Sequence, residues 1–169
     1  MEHPSRASRF AGGQYVVLPD ALSENATVWF AFEPDRWEGV LAVRYERDRA
    51  RLAGVPLWTY GVNLGDVVEV VESGEGAPVA VRVVEPSSNR TFRVVFEDIA
   101  PGDHDERWRG ILMDLEPYGC WFDVLGPGYV AISAAVEESD AVENYLRSRF
   151  DSGDFIYERA EADSRHDDR

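Results

Sequence analysis

Between residues 91 and 159 the apolar side chains change their spacing in a set order, and that order restricts the possible folds more than any other feature of the chain. Residues 91–98 alternate with the period of two expected of a half-buried strand. Over 103–118, Trp108, Ile111, Leu112, Leu115 and Tyr118 recur at helical spacing. Residues 120–125 and 129–136 make a hairpin around Gly126-Pro127-Gly128. A second helical stripe (Val142, Tyr145, Leu146, Phe150) occupies 140–150, and 155–159 is a short last strand. Asp103 with Glu106 and Asp140 with Glu143 have the spacing of a capping box, and Gly119 suits the left-handed residue that closes the first helix. Strand, helix, strand, strand, helix, strand is the ferredoxin-like split βαβ order. Both helices would then cover one sheet face. The other face is left to pack on the rest of the chain or to bind.

Upstream the pattern is β throughout. Residues 26–32, 39–46, 65–72 and 78–84 are rich in β-branched and aromatic residues, with turn signals between them such as Ser73-Gly-Glu-Gly76. A short aromatic segment, 57–60, ends at Gly61. Several short strands at this spacing predict a small barrel or strongly bent sheet. The expected architecture is therefore α+β: a flexible tail over 1–13, a β-rich barrel-like half over 14–90, a ferredoxin-like half over 91–159 packed tightly on it, and a disordered acidic tail over 160–169.

Charge narrows the partners. The chain has 32 acidic and 17 basic residues for a net −15, and every basic residue is arginine. Absence of lysine fits a genome biased toward G and C, or a high-salt cytoplasm. A surface this negative repels phosphate backbones and anionic bilayers, so no nucleic-acid or membrane partner is expected. A basic protein suits it better. No apolar run approaches the ~20 residues of a membrane span. The N-terminal residues lack the pattern of a signal peptide, and the single Cys120 fits a reducing compartment. Cytoplasmic localisation is the expectation.

The stretch Tyr60-Gly-Val-Asn-Leu-Gly-Asp-Val-Val-Glu69, then Arg82-Val-Val-Glu-Pro-Ser-Ser-Asn-Arg-Thr-Phe-Arg93, with Tyr118-Gly-Cys-Trp121, Tyr129-Val-Ala-Ile132 and Gly153-Asp-Phe-Ile-Tyr-Glu158, resembles the bacterial domain-of-unknown-function family 4265 over about residues 28–159. The loop Ser87-Ser88-Asn89 departs from the pattern in having a serine where the family would place glycine. The resemblance implies no activity and carries no catalytic residues with it.

Candidate chemistry is sparse. Cys120 follows a helix C-terminus, where the dipole disfavours a thiolate, and Trp121 and Phe122 beside it suit a small buried hydrophobe. His3, His104 and His166 share no ligand spacing, and there is no cysteine pair, so no metal site or cofactor is expected. Phosphate-loop, dinucleotide and nucleophile-elbow motifs do not occur. What stands out is arginine among aromatics: Trp58, Tyr60, Arg82, Arg90, Arg93 and Trp121. Arg82 and Arg93 lie on strand phases opposite their apolar neighbours, where they would either pair with Glu69 or Glu85 or meet an acidic ligand or partner. No catalytic residue is assigned. The expected function is a non-enzymatic acidic interaction protein that binds another protein as an inhibitor or immunity-type neutraliser. The alternative is a small-molecule-sensing regulatory domain with its site between the halves. A homodimer through the uncovered sheet face is a further expectation.

Overall fold

A computed structural model describes residues 4–18, 26–97 and 107–161. Among them are eleven strands and two helices, an α+β arrangement in which a closed five-stranded barrel meets a six-stranded sheet.

The barrel is made by β3 (Ala26–Glu33), β4 (Arg36–Glu46), β5 (Arg49–Leu52), β6 (Val67–Glu72) and β7 (Pro78–Glu85). Antiparallel ladders join them in sequence, and a parallel contact of Trp29 with Val79 brings β7 back to β3. The β3–β4 turn is only Pro34-Asp35, and Asp35 takes a positive φ of 62°, which aspartate tolerates better than most side chains. Inward residues mix large and small: Val28, Phe30, Val40, Leu52 and Val70 fill the interior, while Ala42 and Ala50 leave room for closure. Bulges that place an extra residue in β4 and in β7 let these strands bend around the core.

The sheet runs β11–β8–β10–β9–β1–β2, all antiparallel. Its strands are β8 (Arg90–Val95), β9 (Trp121–Val124), β10 (Tyr129–Ala134), β11 (Ile156–Arg159), β1 (Ser8–Ala11) and β2 (Gln14–Val17). Phe92, Val94, Phe122, Val130 and Ile132 face one side, where Ile111 and Leu112 of α1 (Arg107–Asp114), Leu115, and Val142 and Leu146 of α2 (Val136–Asp151) cover them. A 3-10 turn at Glu116–Tyr118 follows α1, and Gly119 closes it with φ of 63°.

The opposite sheet face is not free. Ala131 packs with Ala7, Val55, Leu57 and Leu64, joined by Trp58, Trp121 and Tyr129. The β5–β6 connection, residues 53–66, thus lies between barrel and sheet. The N-terminal segment is threaded beside it: Ser5 N–H donates to Gly39 O, Leu41 N–H to Ser5 O, and Val55 N–H to Arg6 O. Gly54 allows this close passage, since a Cβ there would stand 2.1 Å from Ser5 O.

Several expectations need correction. Residues 8–13, expected in a loose tail, supply β1 and its turn to β2, because Phe10 inserts into the helix-covered core. Strand β10 ends at Ala134, and α2 begins at Val136 rather than near 140. The Asp140–Glu143 pair therefore caps nothing. The N-cap is Ala135, with no side-chain bond, and acidic Glu137 and Glu138 occupy the first turn, where they suit the helix dipole. The other capping pair, Asp103 with Glu106, lies outside the described residues, as do the three histidines. Of the acidic tail only Ala160 and Glu161 are described. Ala160 is buried, and its N–H donates to Thr91 O.

Candidate functional site

Residues 57–60 bring aromatic side chains to the junction of the two halves, and a buried carboxylate fixes how they lie. Glu38, on β4, is fully buried. It accepts hydrogen bonds from the backbone N–H groups of Leu57, Trp58 and Thr59, from Thr59 Oγ1 and from Ser5 Oγ, at 2.5–3.0 Å. Five donors replace the water lost on burial, which a lone buried carboxylate requires.

Arg93 approaches the same segment from β8. Only 1% exposed, it donates from Nη2 to Thr59 O at 2.7 Å and from Nη1 to Glu158 Oε1 at 3.2 Å. Glu158 is its cross-strand neighbour on β11. The Tyr60 ring covers the guanidinium at 4.1 Å, a cation–π contact, and Tyr60 Oη donates to Glu158 Oε1 at 2.7 Å. Burial and this carboxylate push the Tyr60 phenol above its ordinary pKa, against the nearby arginine charge. Trp58 stacks on Tyr129 at 4.6 Å and lies 6.1 Å from Phe32. Tyr129 Oη donates to Leu57 O, and burial is the main cause of its raised pKa. Two buried donors, Arg93 Nε and Trp58 Nε1, have no hydrogen-bond partner among the described residues.

Around this cluster opens a cleft of about 310 Å³, bounded on the barrel side by Phe32, Glu33, Arg36 and Trp58, and on the sheet side by Arg93, Val95, Tyr129, Ile156, Tyr157 and Glu158, with Tyr60 between. Arg36 pairs with Glu33 and lies over the Phe32 ring. The cleft is largely aromatic, with two Arg–Glu pairs at its polar edges.

The structure thus gathers Trp58, Tyr60 and Arg93 of the six residues singled out from sequence, and separates the rest. Arg82, on the barrel exterior, pairs with Glu69 at 2.7 Å, one of its two expected internal partners. Arg90 lines a different hollow, of about 520 Å³, near Asn63, Ser88 and Arg159, where it pairs with Glu161. Arg159 in that hollow is held by Glu161 and Glu143. Trp121 belongs to the barrel–sheet packing and carries Arg9 over its ring at 4.6 Å. In the loop 87–89, Ser87 N–H donates to Asp66 and its Oγ to Leu64 O. Cys120 is buried in the helix-covered core, and burial, helped by Glu138, pushes its thiol up to about 12.

Glu38, Glu158, Phe32 and Tyr129 were not singled out from sequence. For Glu158 a signal existed: once β11 pairs with β8, Glu158 falls opposite Arg93, a favourable cross-strand pair. Glu38 gave none, since one carboxylate on a polar-edged strand looks solvent-facing until the chain returns to meet it.

A family model described as Domain of unknown function (DUF4265) matches residues 38–156. The chain belongs to that family. No curated protein matches it in sequence. A crystal structure of a hypothetical protein from Neisseria gonorrhoeae is similar in fold, with a TM-score of 0.67 and 13% identity, over 81% of this chain and 94% of that one.

Proposed function

We propose that this DUF4265 chain works by binding, and that the cleft between barrel and sheet receives a small molecule bearing a planar ring. One observation carries the reading. Aromatic rings from both halves (Phe32, Trp58, Tyr60, Tyr129, Tyr157) converge on one cleft of about 310 Å³ whose polar edges are Arg36–Glu33 and Arg93–Glu158. Apolar walls with a few fixed polar groups, at a junction of two packed units, describe most small-ligand sites. The ring would stack on aromatic faces, and the Arg–Glu pairs would orient its polar edge. The role is regulatory sensing.

The scaffold supports it. We read β8, α1, β9, β10, α2 and β11, ordered β11–β8–β10–β9, as a ferredoxin-like unit extended by the β1–β2 hairpin. The barrel covers the face that such a sheet would otherwise offer, including to a second copy. A thermal-shift screen of heteroaromatic acids and amines tests the reading. A ligand at ~100 times its dissociation constant adds ~2.7 kcal/mol, several degrees for a chain this size. The hit should lose its effect in Ile156→Trp, which fills the cleft from an exposed edge. An unchanged shift in that variant places binding elsewhere.

A second reading, a basic partner protein neutralised by this acidic chain, is favoured by the net −15.

A further inference from the structure

On the outer surface of the barrel, residues of β3, β4 and the β6–β7 turn surround a groove of about 490 Å³ that the cleft does not involve. Trp29, Trp37, Ser73, Glu75, Ala77 and Val79 line it. Register explains how two indoles come to share it. Trp29 lies opposite Gly39, and Trp37 lies opposite Ala31, so each tryptophan faces a small residue across the β3–β4 ladder and the two stand on a diagonal. The Trp29 ring extends over Gly39, where an added Cβ would stand 3.3 Å from the indole and 2.7 Å from Thr27 Cγ2. The far wall is firm, because Ser73 N–H donates to Ala77 O while Ala77 N–H donates to Ser73 Oγ. Val79 continues the apolar floor toward its partner Val71, which is half exposed.

Trp37 is 45% exposed and Val71 51%, and with Trp29 and Val79 they form a contiguous apolar patch of the kind that marks an interaction site. The charge beside it indicates which occupant. Glu75 makes no ion pair with any described residue, and Arg36, next to Trp37 in sequence, is already held by Glu33 and lies over Phe32. Indole faces together with an unpaired carboxylate favour a cation and reject an anion. A chain of net −15 draws such cations by long-range attraction before contact.

We propose that this groove is the docking point for an arginine or lysine side chain of a basic partner protein, the indoles holding the cation from its faces and Glu75 pairing its charge. The proposal rests on the basic-partner reading and is independent of the cleft.

The test uses the full ¹⁵N-labelled chain, whose five tryptophans give separate indole N–H signals. The probe is a blocked heptapeptide, Gly-Ser-Gly-Arg-Gly-Ser-Gly, with its citrulline counterpart as a neutral isostere. The arginine peptide should move the Trp29 and Trp37 signals together and saturably while Trp58, Trp108 and Trp121 stay put, and citrulline should move none. Trp37→Ala should weaken binding about tenfold. Glu75→Gln, a surface change that leaves the fold alone, should weaken it most at low salt. Saturable binding that moves other residues but not these two indoles overturns the groove and leaves a basic partner standing. No saturable binding anywhere, or equal movement with citrulline, overturns both.

Discussion

Glu38 and Arg93 come from the two halves of the molecule and hold the same residue between them. Glu38 accepts from the N–H and Oγ1 of Thr59, and Arg93 donates to its carbonyl. Neither buried charge is paired inside the barrel–sheet junction by direct contact with the other. Thr59 links them instead, and the flanking Trp58 and Tyr60 are set in place as a result.

Removing the carboxylate should therefore undo the site as well as the stability. Glu38→Ala leaves five donors without an acceptor, and a cost of about 3–5 kcal/mol is expected from urea unfolding. Near-ultraviolet circular dichroism should lose the band from the stacked Trp58–Tyr129 pair. A loss under about 1 kcal/mol with that band intact contradicts the role given to Glu38.

Gly54 is required by contact rather than by backbone angle. A methyl group there meets Ser5 O at 2.1 Å, and backbone cannot move aside as a side chain can. Gly54→Ala should cost about 3 kcal/mol or more. Gly74→Ala, with open space around it, should be nearly neutral. Equal effects of the two substitutions would refute the close threading of the N-terminal segment.

Asp123 supplies a pH dependence whose sign is fixed. Burial lifts its carboxyl from about 3.8 to about 6, with Glu38 adding to the rise, although the N–H groups of Arg6 and Val124 pull the other way. The folded pKa lies above the unfolded one, so between about pH 4 and pH 6 the folded state holds more proton than the unfolded state. Stability from this group then falls as pH rises through that window. The stability of Asp123→Asn relative to the unsubstituted chain should climb from pH 4 to pH 7. A constant difference, or a carboxyl chemical shift titrating at or below 4, contradicts this.

Cys120 should be inert. With its thiol buried and pushed up to about 12, almost no thiolate exists in mildly alkaline buffer. Iodoacetamide should leave the native chain unmodified and alkylate it fully in urea. Rapid native labelling would mean that the helix-covered core opens readily.

The order of elements from residue 91 onward was legible because each segment has one dominant period. Errors fell where short-range signals compete with tertiary contacts. Val136 extends the alternation of β10, and Asp140–Glu143 imitates a cap, so the start of α2 was displaced although Ser139 already bonds back to Val136 O within the helix. Strand β1 went unseen because its four residues, with one large apolar side chain, Phe10, carry almost no periodic signal. At the candidate site Arg93 lies on the strand phase opposite Phe92 and Val94, and that face packs on the barrel side, one of the two outcomes the sequence left open. Phase says which side a residue faces and not what lies there. Arg82, Arg90 and Trp121 share the chemistry of Arg93 and Trp58, yet strand order carried them to other surfaces.

Binding in the junction cleft is read out by titrating the cleft's own indole, Trp58. With a hit from the thermal screen added to ¹⁵N-labelled protein, the Trp58 indole N–H signal should shift saturably, Tyr60→Ala should weaken the apparent affinity, and Ile156→Trp should abolish it. A hit that stabilises the chain while Trp58 stays unmoved and Ile156→Trp binds normally would contradict the account.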